Sequence, residues 1–389
     1  MAARAGRDLA VHLTLHLTTA CNMRCDYCYA PPHDGAPMSQ AVGERALELG
    51  SQLNRGASCG IVFFGGEPLL CRLLIRDLVE SARGMERYQA GRFHFKITTN
   101  GLLLDEEFLE FAIRQDVLVA MSFDGIPMAH DAHRRTASGA PTQALLLNKL
   151  RFLLAARPYS SVLMVINPDT APCLAESVAL LLDEGARYLI VSLNYAAPWR
   201  EEDFASLREQ LEKLGDLYIE WTRAGRKFYF SPLEVKLSSH INQHCFRKER
   251  CELARRQLSV DPQGHLYPCV QFVKAGPESC WCIGHVDRGI DEAARSRLHD
   301  ESEAEKIACR GCAIWERCNN SCGCLNWQTT GTVNAVSPVL CRFEQMLMPI
   351  ADRVGRRLYR ERNPLFLHKH YNAAYPVLSL LEDAQARRR

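Results

Sequence analysis

Cys21, Cys25 and Cys28 stand at C-x3-C-x2-C spacing in Cys21-Asn-Met-Arg-Cys25-Asp-Tyr27-Cys28, directly after the alternating run Val11-His-Leu-Thr-Leu-His-Leu-Thr-Thr19. A four-iron cubane normally takes four thiolates, so three at this spacing hold three irons and leave the fourth open. An open metal position is where chemistry happens. The plainer readings of the same residues are a zinc site short of one ligand, or buried thiols.

A second set of cysteines fills the C-terminal third: Cys245, Cys251, Cys269, Cys309, Cys312, Cys318, Cys322 and Cys341. The whole chain has 17 cysteines in 389 residues, far above ordinary usage. Disulfides on that scale require export. Arg4 and Arg7 precede a segment broken by His12, Thr14 and His16, which lacks a continuous apolar core for a signal peptide, and no run approaches transmembrane length. The expectation is a cytoplasmic protein whose cysteines are mostly metal-binding thiolates. Forty-seven Lys and Arg against 45 Asp and Glu leave a formal charge of +2, so there is no whole-molecule case for nucleic acid or an anionic membrane as partner. The basic end, Ala386-Arg-Arg-Arg389, reads as a solvated tail.

The elements that must position these groups follow a strand-then-helix rhythm from about residue 10 to 225. Strands are expected at Val11–Leu17, Ile61–Phe64, Phe93–Thr98, Val117–Phe123, Ser161–Ile166 and Tyr188–Leu193, with helices near 40–54, 70–84, 105–115, 142–156, 173–184 and 201–224. Six such units predict an α/β fold with parallel βαβ topology. They are too few for a complete eight-unit barrel, which makes a partial (β/α)6 barrel the economical expectation. Ligands of such folds sit at the carboxyl ends of the strands. The first strand runs into the cysteine motif there, the second into Gly65-Gly66-Glu67-Pro68, the third into Thr98-Thr99-Asn100-Gly101, and the fourth into Ser122-Phe-Asp124-Gly125. Near residue 230 the rhythm stops. The expected domains are 1–230, a Cys-, Gly- and Pro-rich unit at 231–345 where metal replaces a hydrophobic core, and a C-terminal helix with a polar tail at 346–389.

These residues resemble the radical S-adenosylmethionine (radical SAM) superfamily, whose pattern CxxxCx(aromatic)C follows the first strand of a partial barrel; Tyr27 fills the aromatic position. The resemblance implies a [4Fe-4S] cluster whose open iron binds the amino and carboxylate groups of S-adenosyl-L-methionine, and a 5′-deoxyadenosyl radical that removes a substrate hydrogen. Gly65, Gly66 and Glu67 look like the GGEP motif, where glycines permit close backbone approach and the backbone with Glu67 accepts hydrogens from the cofactor's ammonium group. Alone, the glycine pair would be an ordinary turn. Ser122 and Asp124, followed by Pro127, His130-Asp131 and Arg134, resemble the SxDGP…HDxxR block of peptide-modifying members. By that analogy Ser122 binds ribose and Arg134 the cofactor carboxylate. The plain alternative is a helix cap at Asp124 and a surface ion pair at Arg134. Asn100 either faces the ribose or supplies a turn before Gly101.

The C-terminal cysteines are similar to the SPASM auxiliary-cluster pattern. By the family's interleaving, Cys245, Cys251, Cys269 and Cys322 would hold one further [4Fe-4S] cluster and Cys309, Cys312, Cys318 and Cys341 another, three clusters in all. A pair of structural zinc sites is the competing reading. Cys59, Cys71 and Cys173 read as packing residues. Cys280, Cys282 and Cys324 read as plain thiols, a hydrogen-atom donor among them being the alternative.

Proteins of this layout modify side chains in peptides or proteins, with an external one-electron reductant of the flavodoxin or ferredoxin type. Sulfatase-maturing members carry an aspartate base after the cysteine corresponding to Cys269; here Val270 stands there, which demotes formylglycine formation unless Asp261 or another carboxylate substitutes. The motif begins at residue 21, leaving no room before it for a leader-binding domain, so recognition would use the barrel rim, the SPASM surface or a separate leader-peptide-binding protein. The expected function is a peptide maturase forming an oxidative intrapeptide cross-link. Sulfatase-type Ser/Cys oxidation and epimerisation are the rivals, and a non-catalytic iron–sulfur or zinc scaffold is the reading from another class.

Overall fold

The computed structural model describes residues 11–30, 35–55, 57–86, 92–241 and 252–386. Six parallel strands, β1 (His12–Thr18), β2 (Cys59–Gly65), β3 (Phe93–Thr99), β4 (Val117–Ser122), β5 (Ser161–Ile166) and β6 (Tyr188–Leu193), lie side by side in chain order. Helices α1 (Gln40–Leu53), α2 (Arg72–Glu86), α3 (Glu106–Arg114), α4 (Pro127–His133), α5 (Gln143–Ala156) and α6 (Leu174–Asp183) connect them. Each long strand falls within two residues of its expected bounds at either end.

The sheet does not end with those six. A two-residue β7 (Tyr229–Phe230) extends it beyond β6. At the other edge β8 (Gln257–Val260) pairs parallel to β1, and β9 (Leu266–Tyr267) pairs antiparallel to β8, giving nine strands in the order 7-6-5-4-3-2-1-8-9. Chain from beyond residue 250 therefore covers the edge of β1, satisfying a row of backbone groups that would otherwise be left open.

The two faces of the sheet differ. Leu13, Leu15, Leu17, Ile61, Phe63, Phe95 and Ile97 alternate onto one face and are almost fully buried, the apolar side that helices cover. The alternate positions, including Thr14, His16, Lys96 and Ser122, project from the other. Caps set the helix starts: the Ser39 side chain accepts from Val42 N ahead of α1, and Asp105 accepts from Phe108 N ahead of α3.

After β6 come α7 (Glu201–Arg223), α8 (Ser231–Ile241), α9 (Glu292–Glu303), α10 (Gly323–Thr330) and α11 (Pro338–Arg360), the last packing on α7 and α8. The stretch expected to be a polar tail carries two further helices, α12 (Pro364–Tyr371) and α13 (Tyr375–Ala386). Asn363 caps α12 by accepting from Phe366 N, and Phe366 is buried in the main core, an anchor that composition alone did not reveal. No helix among the described residues is long and apolar enough to cross a membrane.

Candidate active site

The cysteine loop leaves the carboxyl end of β1 and is gripped from two sides. On one side Gly66 N donates to Thr18 O (2.8 Å) and Glu67 N to Ala20 O (2.9 Å). This approach demands glycine: Gly65 has φ +127°, and a Cβ on Gly66 would lie 2.1 Å from the Ala20 carbonyl oxygen. On the other side Arg24 N donates to Arg135 O (2.9 Å), and Met23 bridges Thr136. Cys21 and Cys25 are half-buried and Cys28 is exposed, with the three sulfurs in electrostatic reach of one another. Burial pushes the Cys25 thiol up to about 11 and raises Cys21 as well. A metal centre bound here must therefore displace protons, as thiolate ligation always does.

Glu67 is fully buried, and three donors meet its carboxylate. Oε1 accepts from Leu69 N (3.0 Å) and Thr99 Oγ1 (2.7 Å), and Oε2 from Asn100 N (2.8 Å). Burial raises its pKa while these donors oppose the rise. Three of the carboxylate's four lone-pair sites thus hold β2 to β3 and one on Oε2 is left, beside the backbone of Gly65-Gly66. Asn100 carries the brace onward: its Nδ2 donates to Asn22 Oδ1 (2.7 Å) and lies 3.7 Å from Cys21 Sγ, and its Oδ1 accepts from Leu102 N (3.0 Å). Both the turn and a contact with the cysteine loop are present in this one side chain. Asn22 and Thr99 complete the brace; nothing in their local sequence marked them except adjacency to the motifs.

At the end of β4, Asp124 organises a second network. Its Oδ2 accepts from Tyr27 Oη (2.6 Å) and Arg134 Nε (2.9 Å), and its Oδ1 from Val165 N (3.0 Å). Arg134 is buried, lies over the Tyr27 ring at 5.5 Å and is in electrostatic reach of Cys25. The plain alternative, a helix cap with a surface ion pair, does not describe this arrangement: Asp124 and Arg134 form a buried pair. Among the described residues the two terminal nitrogens of Arg134 have no hydrogen-bond partner, so they remain available to an anionic group. Ser122, the last residue of β4, is half-buried on the face opposite the apolar core. His130 is a satisfied core histidine, its Nδ1 accepting from Asp124 N (3.1 Å) and its Nε2 facing Thr142 Oγ1 (3.1 Å).

The C-terminal cysteines come together from separate short segments. Cys309, Cys312, Cys318 and Cys341 line one cavity of about 300 Å³. Asn320 Nδ2 lies 3.5 Å from Cys309 Sγ and Gln345 Nε2 3.5 Å from Cys341 Sγ. A buried ion pair, Lys236–Glu344 at 2.6 Å, stands in electrostatic reach of Cys318. Cys269 and Cys322 belong to a second group, and Cys324, expected as a plain thiol, joins it with its sulfur 3.4 Å from Cys322 Sγ and in electrostatic reach of Cys269. Cys245 and Cys251 lie outside the described residues. Among the described residues no three His, Cys, Asp or Glu side chains converge closely enough to share one ion; a cubane spreads its ligands over its outer corners and needs no such convergence.

Two tyrosines, half-buried Tyr29 and buried Tyr195, stand between these groups. Tyr29 is in electrostatic reach of Cys28 on one side and of Cys269 and Cys324 on the other, and Tyr195 of both Cys318 and Cys322. Val270 opens a two-turn 3₁₀ helix, Val270–Ala275, after Cys269. Asp261, the substitute base considered above, is committed to a turn: Oδ1 accepts from Gln263 N (2.9 Å) and His265 N (2.9 Å), and Oδ2 from Tyr267 Oη (3.2 Å).

Comparison with known proteins agrees with this geometry. Residues 15–198 match the radical SAM superfamily. An uncharacterised protein of Methanocaldococcus jannaschii is 28% identical over 277 residues, 71% of this chain and 88% of that one. A cysteine-type anaerobic sulfatase-maturating enzyme of Clostridium perfringens is 23% identical over 327 residues, 78% of this chain and 86% of the enzyme. The structure of anSMEcpe with bound AdoMet and the Cp18Cys peptide superposes with a TM-score of 0.74 at 18% identity, covering 90% of this chain and 99% of the other. SuiB of Streptococcus suis bound to precursor peptide SuiA superposes with a TM-score of 0.58 at 14% identity, covering 86% and 76%. The superfamily implies a [4Fe-4S] cluster and S-adenosylmethionine, for which Cys21, Cys25 and Cys28 offer an apt donor set. The chain thus carries a radical SAM domain, is related in sequence to the anaerobic sulfatase-maturating enzymes, and shares its fold with anSMEcpe and SuiB.

Proposed function

We propose that this chain is a peptide maturase that oxidises a ribosomally made peptide by two electrons and closes an intrapeptide cross-link, carbon–carbon or thioether. The observation that carries the reading is the four-thiol cavity of Cys309, Cys312, Cys318 and Cys341. Four thiols satisfy a cubane completely, so a cluster there presents no open iron and serves as an electron acceptor rather than a substrate ligand. Radical abstraction alone removes one hydrogen atom; a resident acceptor is what an oxidation of two electrons needs in addition. The Cys269–Cys322 group, with Cys245 and Cys251, would hold a second such cluster, making three with the one on Cys21, Cys25 and Cys28.

In this reading Cys25 and its partners hold the radical-generating cluster, the Gly65-Gly66 backbone receives the cofactor's ammonium, Ser122 its ribose and Arg134 its carboxylate. Residues 1–230 form the radical unit and 231–345 the auxiliary unit, working in the cytoplasm with an external flavodoxin- or ferredoxin-type reductant and, for some substrates, a separate leader-binding protein. Val270 in place of an aspartate, and the full commitment of Asp261 to its turn, weigh against sulfatase-type oxidation.

The test is mass spectrometry of a peptide encoded beside the gene after anaerobic incubation with enzyme, reductant and S-adenosylmethionine. Loss of two hydrogens with resistance to fragmentation inside one segment is expected. An unchanged mass with solvent deuterium at an α-carbon would replace this reading with epimerisation, and zinc-containing protein that makes no 5′-deoxyadenosine would replace it with a scaffold.

A further inference from the structure

Oxidation of a peptide radical releases a proton as well as an electron; Val270 has no group to take it, and Asp261 already accepts from two backbone amides and Tyr267. A buried polar seat lies elsewhere, at the seam between β1 and β8. The seam is parallel and sets Thr14 opposite Ser259. Paired residues in a parallel ladder share a face, so Ser259 projects beside Thr14, with His16 and Asp261 one alternation further along. This is the face that also carries Ser122, reached through Thr14–Val62, Val62–Lys96 and Lys96–Leu118.

Two polar atoms in this seat are unsatisfied. His16 is 2% exposed and Ser259 0%. Among the described residues His16 Nε2 and Ser259 Oγ are both buried without a hydrogen-bond partner. Buried polar groups are almost always paired, and an orphan costs about 1–3 kcal/mol. Two on one face of adjacent strands mark a place where a polar group from outside the chain completes the bonding. Phe64 packs edge-on against His16 at 5.3 Å and stacks on Tyr29 at 6.5 Å, which joins the seat to the cysteine loop.

We propose that His16, with Ser259 beside it, is the base for peptide oxidation, taking the proton through Nε2. This rests on the oxidative reading above. When bound, the cofactor would supply the radical that removes one peptide hydrogen atom. The carbon radical left on the peptide would then bond to a thiol sulfur or ring carbon of the same peptide; the S–H or C–H bond at that atom breaks, its proton passes to His16 Nε2 as an N–H bond forms, and the surplus electron would go to an iron–sulfur cluster held by the C-terminal cysteines. Burial lowers His16 to about 4, so its imidazole is neutral and able to accept at neutral pH, and the nearby Asp261 carboxylate favours the imidazolium that results. In the resting chain the seat is closed, and the peptide's reacting segment supplies the missing hydrogen-bond partner.

The test compares His16→Gln and His16→Phe with the unaltered enzyme, each reconstituted anaerobically and normalised to iron per chain. With the base lost, His16→Gln should form 5′-deoxyadenosine within about twofold of the unaltered rate while peptide oxidation falls about 10²–10⁴-fold, so that the ratio of cleavage to product rises. A merely structural histidine would lower both together and leave the ratio unchanged; that outcome, or product within threefold of the unaltered enzyme in either variant, overturns the proposal. If His16→Phe fails to retain iron, His16→Gln alone decides. Unaltered enzyme that cleaves the cofactor but oxidises no peptide removes the oxidative reading and this proposal together, whereas a raised product yield confined to the variants removes only this one.

Discussion

The loop of Cys21, Cys25 and Cys28 and the cavity of Cys309, Cys312, Cys318 and Cys341 both gather thiols, but they are built in opposite ways. The loop spans eight residues and borrows its shape from regular structure. The ends of β1, β2 and β3 hold it through Gly66, Glu67 and Asn100, and the segment after α4 holds it through Arg135. The cavity draws its thiols from positions spread over 33 residues and from helix ends and turns rather than from a sheet: a single-turn helix ends at Cys309, α10 intervenes, and the first turn of α11 supplies Cys341. A scaffolded three-thiol loop can leave a coordination position open and still keep its shape, because the sheet carries the strain. Thiols gathered from irregular chain depend on the metal for their arrangement, and four ligands close the site. In the proposed reading the first arrangement serves bond-breaking at an open iron and the second electron storage.

The contrast is sharpest in single cysteine replacements. Cys25→Ala is expected to abolish formation of 5′-deoxyadenosine, by at least about a thousandfold in an anaerobic chromatographic assay, with loss of about four irons per chain. Cys318→Ala should also lose about four irons, yet keep measurable cofactor cleavage while modified peptide disappears. Full product from that variant would erase the functional difference between the two sites. Glu67→Gln comes next: the amide presents a donor to one of Leu69 N, Thr99 Oγ1 or Asn100 N, and a buried polar mismatch costs about 1–3 kcal/mol in denaturant titration of the folded chain. If the brace serves the loop alone, cofactor affinity falls and the C-terminal iron stays. Asn100→Ala removes the contacts to Asn22 and Leu102 and should cost about 1 kcal/mol with a few-fold loss of cofactor affinity by calorimetry.

The smallest effect concerns His133, held between Asp26 (2.8 Å) and Asp169 (3.0 Å). Burial lowers its pKa, and the two aspartate hydrogen bonds outweigh burial to raise it above 6.5. A folded-state value raised above the unfolded one contributes stability that is complete below the unfolded value and lost as pH rises through the folded one. Melting temperature should therefore fall slightly as pH climbs above 6.5, and His133→Gln should flatten that slope while leaving the C-terminal iron untouched.

The comparison also separates what local pattern could reveal from what it could not. The six long strands were legible because apolar alternation is a local signal, and the cysteine loop because its ligands are neighbours in the chain. The seam between β1 and β8 was not, since residues 12–15 and 257–260 meet only through the path of the chain between them. Asp124 and Arg134 were singled out in the sequence, but their burial as a pair beneath Tyr27 depends on three separate elements. Cys324 looked like a spare thiol because spacing rules assign ligands by count, and only packing brings it within reach of Cys269. His16 read as an interruption in an apolar segment; its orphaned nitrogen exists only in the folded chain.

By itself the sequence determined the strand-and-helix order, the glycine pair and the number and spacing of thiols, all properties of short stretches whose physics is local: backbone freedom at Gly66, period-two burial, the reach of a cysteine side chain. Tertiary structure decided which groups are spent and which remain available. Glu67 accepts from three donors, and among the described residues Arg134 keeps two nitrogens unbonded and His16 Nε2 and Ser259 Oγ are buried without partners. Availability is a matter of hydrogen-bond accounting over everything that surrounds a group, and that sum is taken only once the chain has folded.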